Sequence, residues 1–184
     1  MARNQKIISS EKNIAEFVSD EGCFDLQFRR DVRRKRTGNP TYYCWKAQFA
    51  LLGGYDKEKT FRQIKSALNC GNIHFVGENQ VRYSVQSIDE LHNLIVPFFQ
   101  KHFLFGNKKN DFELWGEAVG IIFQNKRKNK YAQKGVRGFA RTKWNKKDFL
   151  HLINIEKAMQ KYKVKRSQSL KWLPIAEEIA KILK

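Results

Sequence analysis

A helical pattern over residues 14–21 passes directly into a strand pattern, and this junction constrains the fold more than any other segment. Apolar residues recur at helical spacing before it, and from Phe24 onward apolar and polar residues alternate. Gly22 lies at the junction, where we expect it to end the helix in the left-handed conformation. Glu21 then places a carboxylate at the negative end of the helix dipole, and a divalent cation is the simplest source of compensating charge.

The rest of the chain predicts two hairpins and several helices. Residues 23–32 and 41–51 alternate as half-buried strands around a basic turn, and residues 72–76 and 80–87 form a second hairpin with Ile73, Phe75 and Val81 turned inward. The helical patterns cover residues 56–68, 88–99, 111–123, 147–162 and 170–183. This order predicts an α+β fold, with a four-stranded antiparallel sheet, helices on one face and extra C-terminal helices. We divide the chain into a core domain (1–124), a basic nucleic-acid-contacting segment (125–147) and a C-terminal helical extension (148–184).

The net charge narrows the class of partner. The chain has 36 lysine and arginine residues against 18 acidic ones, a formal charge of +18. Such an excess points to a polyanion, most economically nucleic acid. Three widely spaced cysteines argue against a disulfide framework or a zinc site, and no apolar stretch has the length of a membrane span or the form of a signal peptide. We therefore expect a soluble, intracellular protein.

Residues 14–22, I-A-E-F-V-S-D-E-G, resemble the signature of the LAGLIDADG homing endonucleases, and the resemblance extends over roughly residues 12–124. It implies an αββαββα core with a saddle-shaped sheet, and a homodimer that uses Mg²⁺ to cut both strands of DNA. Glu21 matches the metal-binding acid, and Asp20 could assist it. Lys108 or Lys109 matches the basic active-site position. Family members are often encoded by introns of organelle genomes, so a mitochondrion or chloroplast is the expected location.

The predicted DNA contacts fall into two groups. Outward side chains of the strands would pair with base edges in the major groove, and the basic turn and the basic segment would contact phosphates. The base-reading candidates are Arg29, Lys46, Gln48, Arg82 and Gln86. The phosphate-contacting candidates are Arg33, Arg34, Lys35, Arg36, Lys126, Arg127, Lys128, Arg137 and Arg141.

Two departures from the family pattern keep a second function open. Glu16 stands where the family has a glycine between the paired helices, and Gly53 stands where many relatives have a polar residue beside the active site. With the basic segment, these favour a catalytically inactive RNA-binding protein, either an intron splicing cofactor or a ribosome or RNA–protein particle component. A DNA-binding regulator is a third class, although the sequence has no helix-turn-helix signature.

Overall fold

The computed structural model describes residues 10–32, 41–129, 144–163 and 168–183. The strands are β1 (Gly22–Val32), β2 (Thr41–Gly54), β3 (Asn72–Val76) and β4 (Gln80–Val85). The helices are α1 (Glu11–Glu21), α2 (Glu58–Leu68), α3 (Ile88–Glu90), α4 (Val96–Lys101), α5 (Gly106–Asn129), α6 (Lys146–Met159) and α7 (Leu173–Ile182). A π-helical turn, Leu91–Ile95, joins α3 to α4, and short 3₁₀ turns cover Tyr55–Lys57, Gln160–Tyr162 and Gln168–Trp172.

The four strands form one sheet in the order β1-β2-β4-β3. β2 and β4 run antiparallel with Phe49 opposite Val85, and β3 and β4 form the second hairpin with Ile73 opposite Tyr83. The α+β prediction, with a four-stranded antiparallel sheet and helices, is therefore confirmed.

The chain folds into two compact units. The first holds the chain up to Asp25 together with Gln48–Phe112, and the second holds Leu26–Ala47 together with Glu113–Lys184. The first core is built around stacked and edge-on rings, with the Phe24 centroid 5.3 Å from that of Phe49 and 5.7 Å from that of Phe99. Phe28, Trp45 and Phe149 form an equivalent ring cluster in the second unit, with centroids 5.1–5.8 Å apart. The division at residues 124 and 147 stays a prediction.

β3 is less buried than its alternating sequence predicts. Phe75 was expected to point into the core, yet it is 55% exposed and packs edge-on against the Tyr55 ring, with centroids 5.4 Å apart. The reason is its place in the sheet. β3 is one of the two edge strands, and Phe75 lies one residue from its end, where the Tyr55 ring is its aromatic neighbour.

Helix termini follow local chemistry. The Ser87 hydroxyl accepts a hydrogen bond from the Glu90 amide at 3.4 Å, as its capping sequence predicts. The helix predicted over 111–123 is longer, because it begins at Gly106, which has φ of +57°, and continues to Asn129. Its last turn carries Lys126, Arg127 and Lys128, whose charges complement the negative end of the helix dipole.

Two further features are the state of the cysteines and the character of the helices. All three cysteines are free thiols. Within the described ranges, no helix combines the length and apolarity needed to cross a bilayer.

Candidate active site and nucleic-acid interface

The end of α1 is fixed by a close contact at Gly22. This residue has φ of −71° and ψ of 150°, and its amide donates to the Val18 carbonyl. The prediction of a left-handed Gly22 is therefore wrong, because the chain enters β1 directly in an extended conformation. Glycine is needed for space instead. A Cβ atom at residue 22 would lie 2.5 Å from both the carbonyl oxygen and Cγ1 of Val18, and Val18 is fully buried.

Glu21 lies at this junction and pairs with Lys57, a lysine outside the predicted site. Its Oε1 accepts a hydrogen bond from Lys57 Nζ at 3.0 Å, and the two side chains are 37% and 34% exposed. Lys57 ends the 3₁₀ turn between β2 and α2, 36 residues along the chain from Glu21. No spacing rule connects two residues so far apart, so only the folded chain identifies this contact.

Gly53 makes room for that lysine. A Cβ atom at residue 53 would lie 2.8 Å from Cγ and 3.2 Å from Cβ of Lys57, so the lysine stem crosses the space above the glycine. The ammonium group also lies 5.3 Å from the centroid of the Phe17 ring. The absence of a side chain at residue 53 is thus coupled to the position of a cation beside Glu21.

Lys108 supplies the second cation of the site. Its ammonium group donates to the carbonyl oxygen of Gly22, the residue after Glu21, and its side chain is half-buried. Lys109 is exposed on the same helix, and Asp20 is exposed on α1. Of the two predicted lysines, the structure therefore brings Lys108 to the end of α1.

A polar contact holds the segment before Lys108 against α1. The Phe105 amide donates to the Ser19 hydroxyl at 3.1 Å, and that hydroxyl donates to the Ala15 carbonyl at 2.8 Å. The start of α5 is therefore tied to the last turns of α1. This tie positions the lysine relative to Glu21.

The donor set of the site suits a hard cation, but it is small. The Glu21 carboxylate and the Gly22 carbonyl are oxygen donors, which Mg²⁺ and Ca²⁺ prefer. Among the residues that the structure describes, no three His, Cys, Asp or Glu side chains cluster as a metal site. Mg²⁺ is commonly bound by one or two carboxylates together with substrate phosphates. One chain therefore offers part of such a site, together with two ammonium groups suited to an anion.

The predicted nucleic-acid residues are distributed over both units. In the first unit, Gln48 on β2 accepts a hydrogen bond from Gln86 at 2.9 Å between Oε1 and Nε2, and Arg82 is half-buried on β4. In the second unit, Arg29 and Lys46 are exposed on β1 and β2, as are Lys126, Arg127 and Lys128 at the end of α5. Arg33, Arg34, Lys35, Arg36, Arg137 and Arg141 lie outside the described residues.

Leu52 and His74 join Arg82 in a cross-strand row that the predicted contacts did not include. The register places Leu52 opposite Arg82 and His74 opposite Arg82 on its other side. Leu52 is 51% exposed. The alternation of each strand was the available signal, because it places Leu52 and Arg82 on outward faces. The strand pairing that brings them together is not readable from the sequence.

Comparisons with known proteins agree with this architecture. A family model described as LAGLIDADG endonuclease matches residues 14–119. A protein of Podospora anserina, named as an uncharacterized 50.9 kDa protein in ND4 intron 1, is 31% identical over 114 residues, which cover 61% of this chain and 24% of that protein.

Two solved structures share the fold at low sequence identity. The homing endonuclease I-TnaI superposes with a TM-score of 0.66 and 15% identity, covering 93% of this chain and 97% of that one. The I-SmaMI LAGLIDADG homing endonuclease bound to cleaved DNA superposes with a TM-score of 0.64 and 19% identity. That match covers 89% of this chain and 48% of I-SmaMI. The chain thus spans about half of I-SmaMI, about a quarter of the Podospora protein and nearly all of I-TnaI.

Proposed function

The chain belongs to the LAGLIDADG endonuclease family, and from that premise we propose that it cuts both strands of a specific DNA site as a homodimer that uses Mg²⁺. The observation that carries this proposal is the convergence of the Glu21 carboxylate, the Gly22 carbonyl and the ammonium groups of Lys57 and Lys108 at the end of α1. Hydrolysis of a phosphodiester builds negative charge on the phosphate oxygens. Cationic groups held in place beforehand stabilise that charge.

Glu21 and the Gly22 carbonyl would hold the divalent cation, and Asp20 is a further candidate ligand. When bound, that cation would lower the pKa of its water and stabilise the leaving oxygen. Every acid in this assignment lies at or beside the last residue of α1, whose end the Gly22–Val18 contact fixes. The protein's contribution is therefore the placement of oxygen donors over the phosphate.

Lys108 and Lys57 would contact the phosphate oxygens, with Lys109 as the second candidate for the role of Lys108. The Glu21–Lys57 pair is exposed, and exposed pairs contribute only about 0–1 kcal/mol. Separating the two charges therefore costs little free energy. Lys57 can turn from the carboxylate to a phosphate without a large loss of stability.

Dimerisation follows from the number of acids. Each chain contributes one Glu21, whereas two scissile phosphates are cut in a double-strand break. I-TnaI, which this chain matches over nearly its whole length, is a homing endonuclease of about the same size. We assign the second acid to a second copy of the chain, and the competing assignment is a second motif within a longer polypeptide.

The experiment that tests the proposal combines size with cleavage. Light scattering of this 184-residue chain, with and without duplex DNA, is expected to give a DNA complex whose mass is that of the duplex plus two protein chains. Duplexes from candidate intron insertion sites are then incubated with the protein in MgCl₂ or in EDTA. Staggered double-strand cuts in MgCl₂ alone support the proposal, and intact DNA at every site with a monomeric protein contradicts it.

The basic end of α5 predicts a measurable salt dependence. Replacing Lys126, Arg127 and Lys128 by alanine is expected to lower the slope of log Kd against log salt by about 0.9 for each phosphate that the variant no longer neutralises, since each neutralised phosphate releases a counterion. Fluorescence anisotropy of a labelled duplex at several NaCl concentrations measures the slope. The matched control replaces three exposed lysines outside α5, namely Lys59, Lys161 and Lys181. Equal slopes for the two triple variants would show that the basic end of α5 does not contact DNA phosphates.

The contact between Lys57 and Glu21 also favours the second function. An acid already neutralised by a tethered ammonium group suits a protein that has lost its metal and binds structured RNA, as a splicing cofactor or particle component. RNA recognition through shape and 2′-hydroxyl groups would need no dimer. A monomer that binds folded intron RNA more tightly than duplex DNA, and cuts neither in MgCl₂, would establish this function instead.

We also propose an intron as the genetic source of the chain. The Podospora relative carries ND4 intron 1 in its name. A mitochondrial or chloroplast location stays a prediction. Fluorescence microscopy of the tagged full-length protein in its host would test it.

A further inference from the structure

The outward face of β2 and β4 has two cross-strand rows of long side chains. Between them lies a row of short side chains, which we call the floor. The first row is the hydrogen-bonded pair Gln48 and Gln86. The floor is Ala50 and Ser84, which lie opposite each other and are only 5% and 4% exposed. The second row joins Leu52, Arg82 and His74 across three strands.

We propose that these rows read two separate positions of one DNA half-site: an adenine opposite the glutamine pair, and a guanine flanked by a thymine opposite Arg82 and Leu52. The bases over the floor are tolerated. This inference rests on the proposed function, because it takes duplex DNA as the ligand. It adds to that function an assignment of particular bases to particular side chains.

The glutamine pair presents a donor and an acceptor that complement the hydrogen-bonding groups of adenine. The Gln86 amide nitrogen donates to Gln48 Oε1, which leaves Gln48 Nε2 as a donor and Gln86 Oε1 as an acceptor. In the major groove adenine offers the N7 acceptor and the N6 donor, whereas guanine offers two acceptors. The Gln86 oxygen would therefore face an acceptor of guanine unfavourably. The hydrogen bond between the two side chains also holds their orientation before DNA binds.

The second row combines a cation with an apolar surface. Arginine binds guanine through O6 and N7, and an apolar side chain contacts the C5-methyl group of thymine. Arg82 lies between Leu52 and His74 in the register, and its side chain is half-buried, so its neighbours limit its conformations. Leu52 is 51% exposed, the neighbouring outward positions of β2 and β4 carry polar or small residues, and a thymine methyl would cover the leucine.

The floor sets the spacing between the two positions. Residues 48 and 52 are four residues apart on β2, or about 13 Å at the usual rise of a strand. That distance corresponds to about four base-pair steps at the rise of about 3.4 Å along the DNA axis. Ala50 and Ser84 have no long side chain with which to reach the bases between.

Selection from a randomised duplex DNA library tests the inference. Wild-type protein in CaCl₂ is expected to enrich adenine at one position and a guanine–thymine step about four base pairs away, with little preference between them. Gln86→Leu is expected to reduce the adenine preference at least about tenfold and to leave the second position unchanged. Arg82→Gln is expected to replace guanine by adenine at the second position only, and Leu52→Ser to remove only the thymine preference.

The outcomes separate this inference from the proposed function. All four proteins are first compared by thermal melting, since surface changes of this kind should leave folding intact. A wild-type protein that selects a DNA sequence but keeps the same profile in all three variants would overturn the base assignments alone. A uniform decrease in affinity for every sequence in the variants would also overturn them, because it is the behaviour of phosphate contacts. A wild-type protein that enriches no DNA sequence would overturn both proposals.

Discussion

Glu21→Gln is expected to lower the rate of DNA cleavage by at least about a hundredfold, while DNA affinity stays within a few-fold of wild type. The substitution keeps the shape of the side chain and one oxygen, so the hydrogen bond with Lys57 can persist as one to a neutral acceptor. It removes the negative charge that would bind the metal, and removing one group that stabilises the transition state in this way costs roughly a hundredfold to a thousandfold or more. Single-turnover cleavage in MgCl₂ measures the effect.

The combination of slower cleavage with unweakened DNA binding makes this prediction specific. DNA is a polyanion, so in EDTA, where no metal is bound, removing a carboxylate from the surface that DNA approaches cannot weaken the Coulomb attraction. The matched control is Glu178→Gln, which removes a carboxylate on α7 that pairs with Lys181, and its cleavage rate should equal that of wild type. Cleavage by Glu21→Gln at the wild-type rate would exclude Glu21 as a metal ligand.

Gly22→Ala is expected to destabilise the protein by about 1–3 kcal/mol, the usual cost of inserting a methyl group into a packed interior. The new Cβ would lie 2.5 Å from the Val18 carbonyl oxygen, a backbone atom that cannot move without shifting the end of α1. For a chain of 184 residues, each kcal/mol lowers the melting temperature by about 2–4 °C. Because Glu21 precedes the clash and Lys108 binds the Gly22 carbonyl, cleavage of DNA should also slow.

A second glycine gives the control for this experiment. Gly116 lies inside α5, where a Cβ atom would have nothing within 4 Å. Gly116→Ala should therefore raise stability by about 0.5–1 kcal/mol, since alanine favours the helix. Urea unfolding of the two variants beside wild type checks both signs. If both substitutions were stabilising, the close contact at Gly22 would not limit the site.

Much of the fold could be predicted because its signals are local. The alternation in β2 and β4 predicts which side chains are buried, and Phe49, Leu51, Val81, Tyr83 and Val85 are all fully buried. The capping residue Ser87 starts the predicted helix. At Phe75, alternation did not predict the exposure of the side chain. Alternation gives the face of a strand, but burial also depends on what packs against that face, since β1 is an edge strand too and its Phe24 and Phe28 are buried.

The candidate site was only partly predictable. Glu21 is found from a contiguous motif, and Lys108 from its place before α5. Lys57 could not be found, because its contact with Glu21 depends on the space above Gly53. From the sequence alone, Gly53 is notable only because it stands where many relatives have a polar residue. In the structure, its lack of a side chain leaves the space that the Lys57 stem crosses.

The sequence by itself determined the order of helices and strands, the family resemblance, the excess of positive charge and the acid at the end of α1. These properties depend on residues that are close along the chain, where periodicity and helix-ending chemistry act directly. Only the tertiary structure decided that Gly22 is extended, that Lys57 and Lys108 converge on the end of α1, and that Leu52, Arg82 and His74 share a row. The physical reason is that close approach and strand register arise from packing between distant segments, which no local pattern encodes.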